Sequence, residues 1–164
     1  MSHSVTVNKT ITFEMAHILK SAKTLACNAT IHGHSYKMKL GLIGDINPET
    51  GMLVDFSKVS ELCRVVHNHL DHALWVSTEK QFKQAREMGN EKVLFYPGIE
   101  PTAENMVIVI LHTLAMSIVD SNVFDIAIEL WETKDSSVSC ILSLVSAKML
   151  NVSCLPAFVN GNNW

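Results

Sequence analysis

The chain has 164 residues, 48% of them hydrophobic, and a formal net charge of −3 at pH 7. These values predict one domain, residues 1–164, with part of its apolar surface covered by other subunits. The sequence has no basic stripe of the kind that indicates nucleic-acid binding. Its longest apolar run, residues 106–119, is too short to span a bilayer, and no signal-peptide pattern is present. We therefore expect a cytoplasmic protein with no nucleic-acid or membrane partner.

The first half of the chain predicts two strands and a helix. Residues 5–17 alternate, with the apolar side chains on one parity and His17 on the same face. Residues 35–44 alternate in the same way, and a turn rich in Asp, Asn-Pro and Gly follows them. The next stretch has apolar residues at helical spacing, with Ser57 as the predicted N-cap of the helix.

The second half predicts another helix and two more strands. Residues 77–98 are charged and irregular and read as an insertion, with at most a short helix, while Thr102 is the predicted cap of the second main helix. Two alternating segments follow, and the tail, residues 151–164, is unassigned. The order strand, strand, helix, helix, strand, strand predicts an α+β domain whose antiparallel sheet carries its helices on one face.

Three histidines meet if the first two strands pair as a hairpin. His32 and His34 share one face if the second strand begins slightly earlier than its alternation, and their Cα atoms are then about 6.6 Å apart. Pairing brings His17 beside them. Three neutral imidazoles form a Zn²⁺ site with a fourth position free, which is typical of a catalytic metal, although two histidines spaced by one residue are often coincidental.

A second pair with this spacing, His67 and His69, lies on the predicted first helix. Side chains two residues apart on a helix point roughly 200° apart, so we do not expect these two to share a metal. His112 lies in an apolar helix and is expected to be a core histidine.

Further candidate residues surround the histidines in the sequence. Cys27 precedes them and is interpreted as a thiolate base, as a fourth zinc ligand or as a surface cysteine. Asp71 and His72 are adjacent and can form a proton relay. Glu132 continues the apolar parity of its strand, so its carboxylate either meets a ligand with two N–H donors or is solvated beyond the strand end.

Several stretches together resemble one family. The matching stretches, in chain order, are FEMAH, CNATIHGHSYKMKLGLIG, DINPETGMLVDFS, LDHALW, PTAENM and LWET. They resemble stretches of the 6-pyruvoyl-tetrahydropterin synthase and 6-carboxytetrahydropterin synthase family, occur in the family's order and cover most of residues 8–140. The resemblance implies the tunnelling fold of ββααββ subunits. In that fold the sheets of several subunits join into a barrel, commonly as a trimer, two barrels stack into a hexamer, and active sites lie between subunits.

The resemblance also implies roles for the candidate residues. The positions that match metal ligands are His17, His32 and His34. Those that match proton-transfer residues are Cys27, Asp71 and His72. Those that match pterin-binding residues are Glu132, Thr102 and Glu104. Among these, Cys27 resembles the general base, the Asp-His pair reaches in from a neighbouring subunit, and Glu132 anchors the 2-amino and ring N–H groups of the pterin.

The implied substrate is 7,8-dihydroneopterin triphosphate, with two possible products. The 6-carboxy enzymes release triphosphate and acetaldehyde on the route to queuosine, whereas the 6-pyruvoyl enzymes keep the carbon chain on the route to tetrahydrobiopterin. Four residues separate Cys27 from His32, between the three and the five usual in the two groups, so this spacing leaves the product open. The compact first loop and FEMAH favour the 6-carboxy product. The rival hypotheses are a zinc- and pterin-binding protein without turnover and a plain apolar oligomeric domain.

Overall fold

The computed structural model describes residues 4–20, 30–118 and 122–144; the tail at 151–164 lies outside them. In chain order the elements are β1 (Ser4–His17), β2 (His32–Asp45), α1 (Phe56–Leu70), β3 (Ala73–Val76), α2 (Glu79–Glu87), β4 (Val93–Phe95), α3 (Ala103–Ala115), β5 (Val123–Trp131) and β6 (Ser137–Ser143). The predicted α+β class and the ββααββ frame are confirmed, with β3, α2 and β4 added between the two main helices.

The six strands form one sheet in the order β4-β3-β1-β2-β5-β6. The four frame strands pair antiparallel as predicted. The prediction of a wholly antiparallel sheet is wrong at one edge, because β3 runs parallel to β1 and β4 runs parallel to β3. Parallel neighbours need a crossover connection. Between β3 and β4 this connection contains α2, and between β1 and β3 it contains β2 and α1.

The segment 77–98 was predicted to be an irregular insertion with at most a short helix. It contains that helix, α2, and also the strand β4, so it is more ordered than predicted. Thr78 and Gln81 form a capping box at the start of α2, and the ring of Phe82 stacks on that of Phe95 at 5.3 Å. Beneath them lies a small second core, made of Ile18, Leu74, Val76, Ala85 and Val93. Burial of these apolar side chains stabilises the parallel edge of the sheet.

The main helices begin at capped positions. Thr102 caps α3 as predicted, accepting a hydrogen bond from the backbone N–H of Asn105 at 3.4 Å. The prediction of Ser57 as the cap of α1 is wrong: Asp55 is the N-cap, and its carboxylate accepts from the Ser57 N–H at 2.7 Å. Asp and Ser are comparable caps, and here the extended backbone at Asp55 decides between them.

One face of the sheet is covered and the other is polar. On the covered face, α1 packs on β1 and α3 packs on β5 and β6. Their apolar side chains join Phe13, Tyr36 and Met38 of the sheet in the main core. No helix in the described part of the chain has the length and apolar content needed to cross a membrane.

Besides the outer edge of β4, two strand edges lack partners within the described residues. β3 pairs with β1 only at Met15, Ala16 and His17, so residues 4–13 are paired on the β2 side alone. At the far end of the sheet, β6 has only β5 beside it. Both edges therefore present backbone N–H and C=O groups that another strand can pair with.

Gly44 provides a stability test, because the backbone of Asn122, just before β5, lies very close to it. A Cβ at this position would lie 2.0 Å from the carbonyl oxygen of Asn122, which is backbone, whereas a Cβ at Gly41 would meet side-chain atoms of Thr6 and Asn8 at 3.0 Å or more. We expect Gly44→Ala to lower the free energy of unfolding by about 1–3 kcal/mol and Gly41→Ala to lower it less. Urea unfolding of both variants measures this, and equal costs would contradict the assigned β2–β5 packing.

Candidate metal centre and adjoining pocket

The hairpin of β1 and β2 brings the three candidate histidines together. His17 lies opposite His32 and Met15 lies opposite His34 in the ladder, so all three imidazoles project from the same face. One ring nitrogen of each lies within 4.8 Å of the others, and the Nε2 atoms of His17 and His32 are 2.9 Å apart. The early start of the second strand is confirmed.

Hydrogen bonds orient two of these rings for metal binding. The Nδ1 of His17 lies 2.7 Å from the carbonyl oxygen of Pro101, and the Nδ1 of His32 lies 3.2 Å from that of Thr30. Because a carbonyl only accepts, each Nδ1 must carry the proton, which leaves each Nε2 with a free lone pair. Such backing of a histidine by a carbonyl is the usual support of a metal ligand.

The surroundings of His17 favour its neutral form. His17 is fully buried, and burial is the main cause that lowers its pKa, with repulsion from His32 and His34 acting in the same direction; the Pro101 carbonyl and Glu132 oppose the change. Neutral imidazole is the form that binds metal, and three nitrogen donors suit Zn²⁺ with one position left for water or substrate. The residues present therefore fit this ion.

Glu132 reaches the same cluster from the end of β5. Its Oε1 accepts a hydrogen bond from the Tyr36 hydroxyl at 3.0 Å and lies 3.8 Å from the Nε2 atoms of His17 and His34. Glu132 lies just beyond the end of β5, as the solvation alternative requires, but its side chain is only 30% exposed and its Oε1 has protein partners. Burial, together with the charge and hydrogen bond of Glu132, raises the pKa of Tyr36, which therefore stays protonated as the donor.

A pocket of 370 Å³ adjoins Glu132. It is lined by Thr102, Ala103, Glu104, Glu132, Ser136, Ser137 and Val138. The structure thus places the three predicted pterin-binding residues around one cavity. The β5–β6 turn residues and Tyr36 were not among the predictions; Tyr36 continues the alternation of His32 and His34 and could have been found from it.

The Asp71–His72 pair forms, but on another part of the surface. Asp71 Oδ2 accepts from His72 Nδ1 at 2.8 Å, and Asp71 Oδ1 accepts from the Glu14 N–H at 2.9 Å. That backbone bond is the main cause that lowers the pKa of Asp71. Within the described residues, these contacts connect the pair to Glu14 and His67, not to the three histidines, and His72 is 79% exposed.

A second cavity, of 590 Å³, lies beside this pair. Its lining includes Glu14, Gly33, His34, Ser35, His72 and Lys92. His72 and one of the three clustered histidines therefore line the same cavity.

The remaining sequence predictions have mixed outcomes. Cys27 lies outside the described residues, so its role stays a prediction. His67 approaches Asp71 while His69 contacts the Tyr96 hydroxyl at 3.0 Å, which confirms that the helical pair is separated; burial lowers the pKa of His69 to about 4. Cys63 is buried in the core as predicted, whereas His112 is only half-buried.

Comparison with known proteins identifies the family. Residues 6–141 match the family model described as 6-pyruvoyl tetrahydropterin synthase. The chain belongs to this family. The 6-carboxy-5,6,7,8-tetrahydropterin synthase of Haemophilus influenzae is 29% identical over 138 residues, which cover 79% of this chain and 94% of that protein. A putative 6-carboxy-5,6,7,8-tetrahydropterin synthase of Pyrococcus horikoshii is 35% identical over 95 residues, about half of each chain (54%).

Solved structures support the fold. The 6-pyruvoyl tetrahydropterin synthase of Plasmodium vivax matches with a TM-score of 0.67 at 19% identity, covering 86% of this chain and 99% of that one. The corresponding Caenorhabditis elegans enzyme matches with a TM-score of 0.60 at 24% identity, covering 86% and 97%. At these identities the likeness confirms the architecture of the subunit.

Metal binding can be tested by removing one histidine from each close pair. We expect His34→Ala to weaken zinc binding by more than the roughly 10–100-fold that follows loss of a supporting contact, because it removes one of three donors. His67→Ala, a matched change on α1, should leave zinc binding unchanged. Competition with a chromophoric chelator measures both affinities, and equal affinity of His34→Ala and the unaltered protein would refute the centre.

Proposed function

We propose that this protein is a Zn²⁺-dependent lyase that converts 7,8-dihydroneopterin triphosphate to a tetrahydropterin. The observation that carries the proposal is the position of Glu132, whose carboxylate lies 3.8 Å from two of the clustered histidine nitrogens and also lines a 370 Å³ pocket. An anchor for a pterin ring and a metal centre for its side chain are therefore neighbours, as the reaction requires.

In this proposal the pocket binds the pterin ring. A carboxylate that accepts from two N–H donors forms strong charge-assisted bonds, and Glu132 is the group suited to the 2-amino and ring N–H donors. Thr102 and Glu104 form part of the wall around it. A zinc ion held by His17, His32 and His34 would supply Lewis acidity to the side-chain hydroxyls of the substrate.

Proton transfer is assigned to residues outside the metal cluster. We assign Cys27 as the general base that takes a proton from the substrate side chain, since a thiol near a dication has a lowered pKa. Asp71 holds His72 through the 2.8 Å contact to Nδ1, so Nε2 of that imidazole is free to exchange a proton. Its 79% exposure supports action on the site of a neighbouring subunit.

A homo-oligomer follows from the same arrangement. The unpaired edge of β1 at residues 4–13 and the free edge of β6 support joining of sheets between subunits into a barrel. We propose a trimer or a hexamer of such subunits, in which the exposed Asp71–His72 pair of one chain faces the metal centre of another.

For the product we propose 6-carboxy-5,6,7,8-tetrahydropterin, with loss of triphosphate and acetaldehyde, as in queuosine biosynthesis. The names of the relatives from Haemophilus influenzae and Rickettsia bellii, the latter 28% identical over 111 residues, support this choice. The alternative, a 6-pyruvoyl product, is supported by a Caenorhabditis elegans relative described as a putative 6-pyruvoyl tetrahydrobiopterin synthase, 28% identical over 128 residues.

Turnover distinguishes these possibilities. Incubation of the zinc-loaded protein with 7,8-dihydroneopterin triphosphate should release triphosphate and acetaldehyde and give the 6-carboxy product by mass. We expect Cys27→Ala to retain zinc and to lose roughly 10²–10⁴-fold in turnover, the range for removal of a general base. Cys140→Ala, on β6, is the control. Zinc and pterin binding without any triphosphate release would contradict the enzymatic function, and loss of zinc from Cys27→Ala would make Cys27 a ligand.

The pterin anchor has its own test. Glu132→Gln removes the negative charge from the anchor, so we expect neopterin binding to weaken by about 1.5–3 kcal/mol, the value of a hydrogen bond to a charged group. Glu129→Gln is the matched control, because Glu129 lies on the opposite face of β5 and contacts Ser137. Titration calorimetry measures both, and unchanged affinity of Glu132→Gln would remove Glu132 from the pterin site.

A further inference from the structure

The Glu132 carboxylate can bind either of two partners, the metal ion or the pterin ring. In a tetrahedral zinc site with bonds of about 2.0–2.2 Å, neighbouring ligand atoms are about 3.4 Å apart. The Oε1 atom of Glu132 is 3.8 Å from the Nε2 atoms of both His17 and His34. Its distance from each of these two nitrogens therefore exceeds the separation expected between two zinc ligands by less than about half an ångström.

Binding of this oxygen to the metal would oppose the proposed reaction. A carboxylate oxygen is an ordinary zinc ligand, and as a fourth ligand it would close the position that the substrate side chain needs. It would also take the negative charge of Glu132 away from the ring N–H donors of the pterin. The pocket and the metal centre can both work only if the carboxylate is kept off the metal.

The Tyr36 hydroxyl supplies that restraint. Within the described residues, it is the side-chain donor that reaches the Glu132 carboxylate, with 3.0 Å between Oη and Oε1. This hydrogen bond occupies a lone pair of the same oxygen that lies nearest the histidines. Release of Oε1 to a metal would leave a buried hydroxyl without its acceptor, at a cost of about 1–3 kcal/mol.

Tyr36 is itself held rigidly. Its side chain is completely buried. Its ring stacks on that of Phe13, its partner in the β1–β2 ladder, with 5.3 Å between the ring centres and 13° between the ring planes. The centre of the Tyr36 ring lies 5.6 Å from that of His34 and 6.5 Å from that of His17, with the ring planes inclined at 71° and 88°. The hydroxyl therefore has a fixed position between the metal ligands and the pterin anchor.

We propose that Tyr36 is a positioning residue that keeps the Glu132 carboxylate off the metal and available to the pterin ring. The inference rests on the proposed function, since it assigns Tyr36 to the same pterin and metal site. It predicts that loss of the Tyr36 hydroxyl weakens pterin binding only when the metal is present.

The test uses 6-methylpterin, which has the ring N–H donors but no side-chain hydroxyls for the metal. We expect Tyr36→Phe to bind it roughly 10-fold or more weakly than the unaltered protein when zinc is loaded, corresponding to loss of one charge-assisted contact. After zinc removal by chelation, the two proteins should bind equally. Tyr96→Phe is the matched control, because that buried hydroxyl contacts His69 and should change neither affinity. Thermal unfolding checks that all variants are folded.

Two results would overturn the inference: equal binding by Tyr36→Phe and the unaltered protein with zinc, or the same weakening with and without zinc, which would make Tyr36 a structural support. Failure of the unaltered protein to bind 6-methylpterin, or full binding by Glu132→Gln, would instead refute the pterin site of the proposed function.

Cobalt substitution tests the metal half of the inference without any pterin. The visible spectrum of Co²⁺-loaded Tyr36→Phe should differ from that of the unaltered protein, because the carboxylate replaces water on the metal. The double variant Tyr36→Phe/Glu132→Gln should return to the original spectrum. Identical spectra for Tyr36→Phe and the unaltered protein would overturn the inference.

Discussion

In the β1–β2 ladder, His17 lies directly opposite His32, and every distance within the candidate metal centre depends on that register. A slip of one residue would turn one strand's side chains to the other face and separate the three imidazoles. The register is held by the pairing of all fourteen residues of each strand and by the Phe13–Tyr36 stack in the same ladder. The packing of the core and the geometry of the site are thus consequences of one strand pairing.

A second short segment links the metal ligands to the pocket. The Pro101 carbonyl orients His17 at 2.7 Å, and Thr102, the next residue, both caps α3 and lines the pocket. The side chain of Asn105 donates to the Glu100 carbonyl at 2.8 Å, which fixes this turn to the start of the helix. A change in the turn would therefore disturb the metal ligand and the pocket wall together.

The long elements could be predicted from the sequence, and the short ones could not. Period-two alternation over residues 35–44, with an earlier start of the strand, placed His32 and His34 on one face. By contrast, β3 and β4 have four and three residues, too few to show a period. The support of His17 by the Pro101 carbonyl had no sequence signal, because every residue has such a carbonyl and only the fold selects one. Contacts of Asp71 and His72 with another chain are likewise outside the reach of one sequence.

The central claim is that three imidazoles hold one zinc ion while Glu132 and Cys27 stay off it. X-ray absorption at the zinc edge of the purified, unaltered protein tests this most directly. The account predicts three nitrogen donors at about 2.0–2.1 Å and one exchangeable oxygen. A sulfur donor at about 2.3 Å, or a fourth donor that does not exchange with added substrate analogue, would mean a closed metal site and would contradict the account.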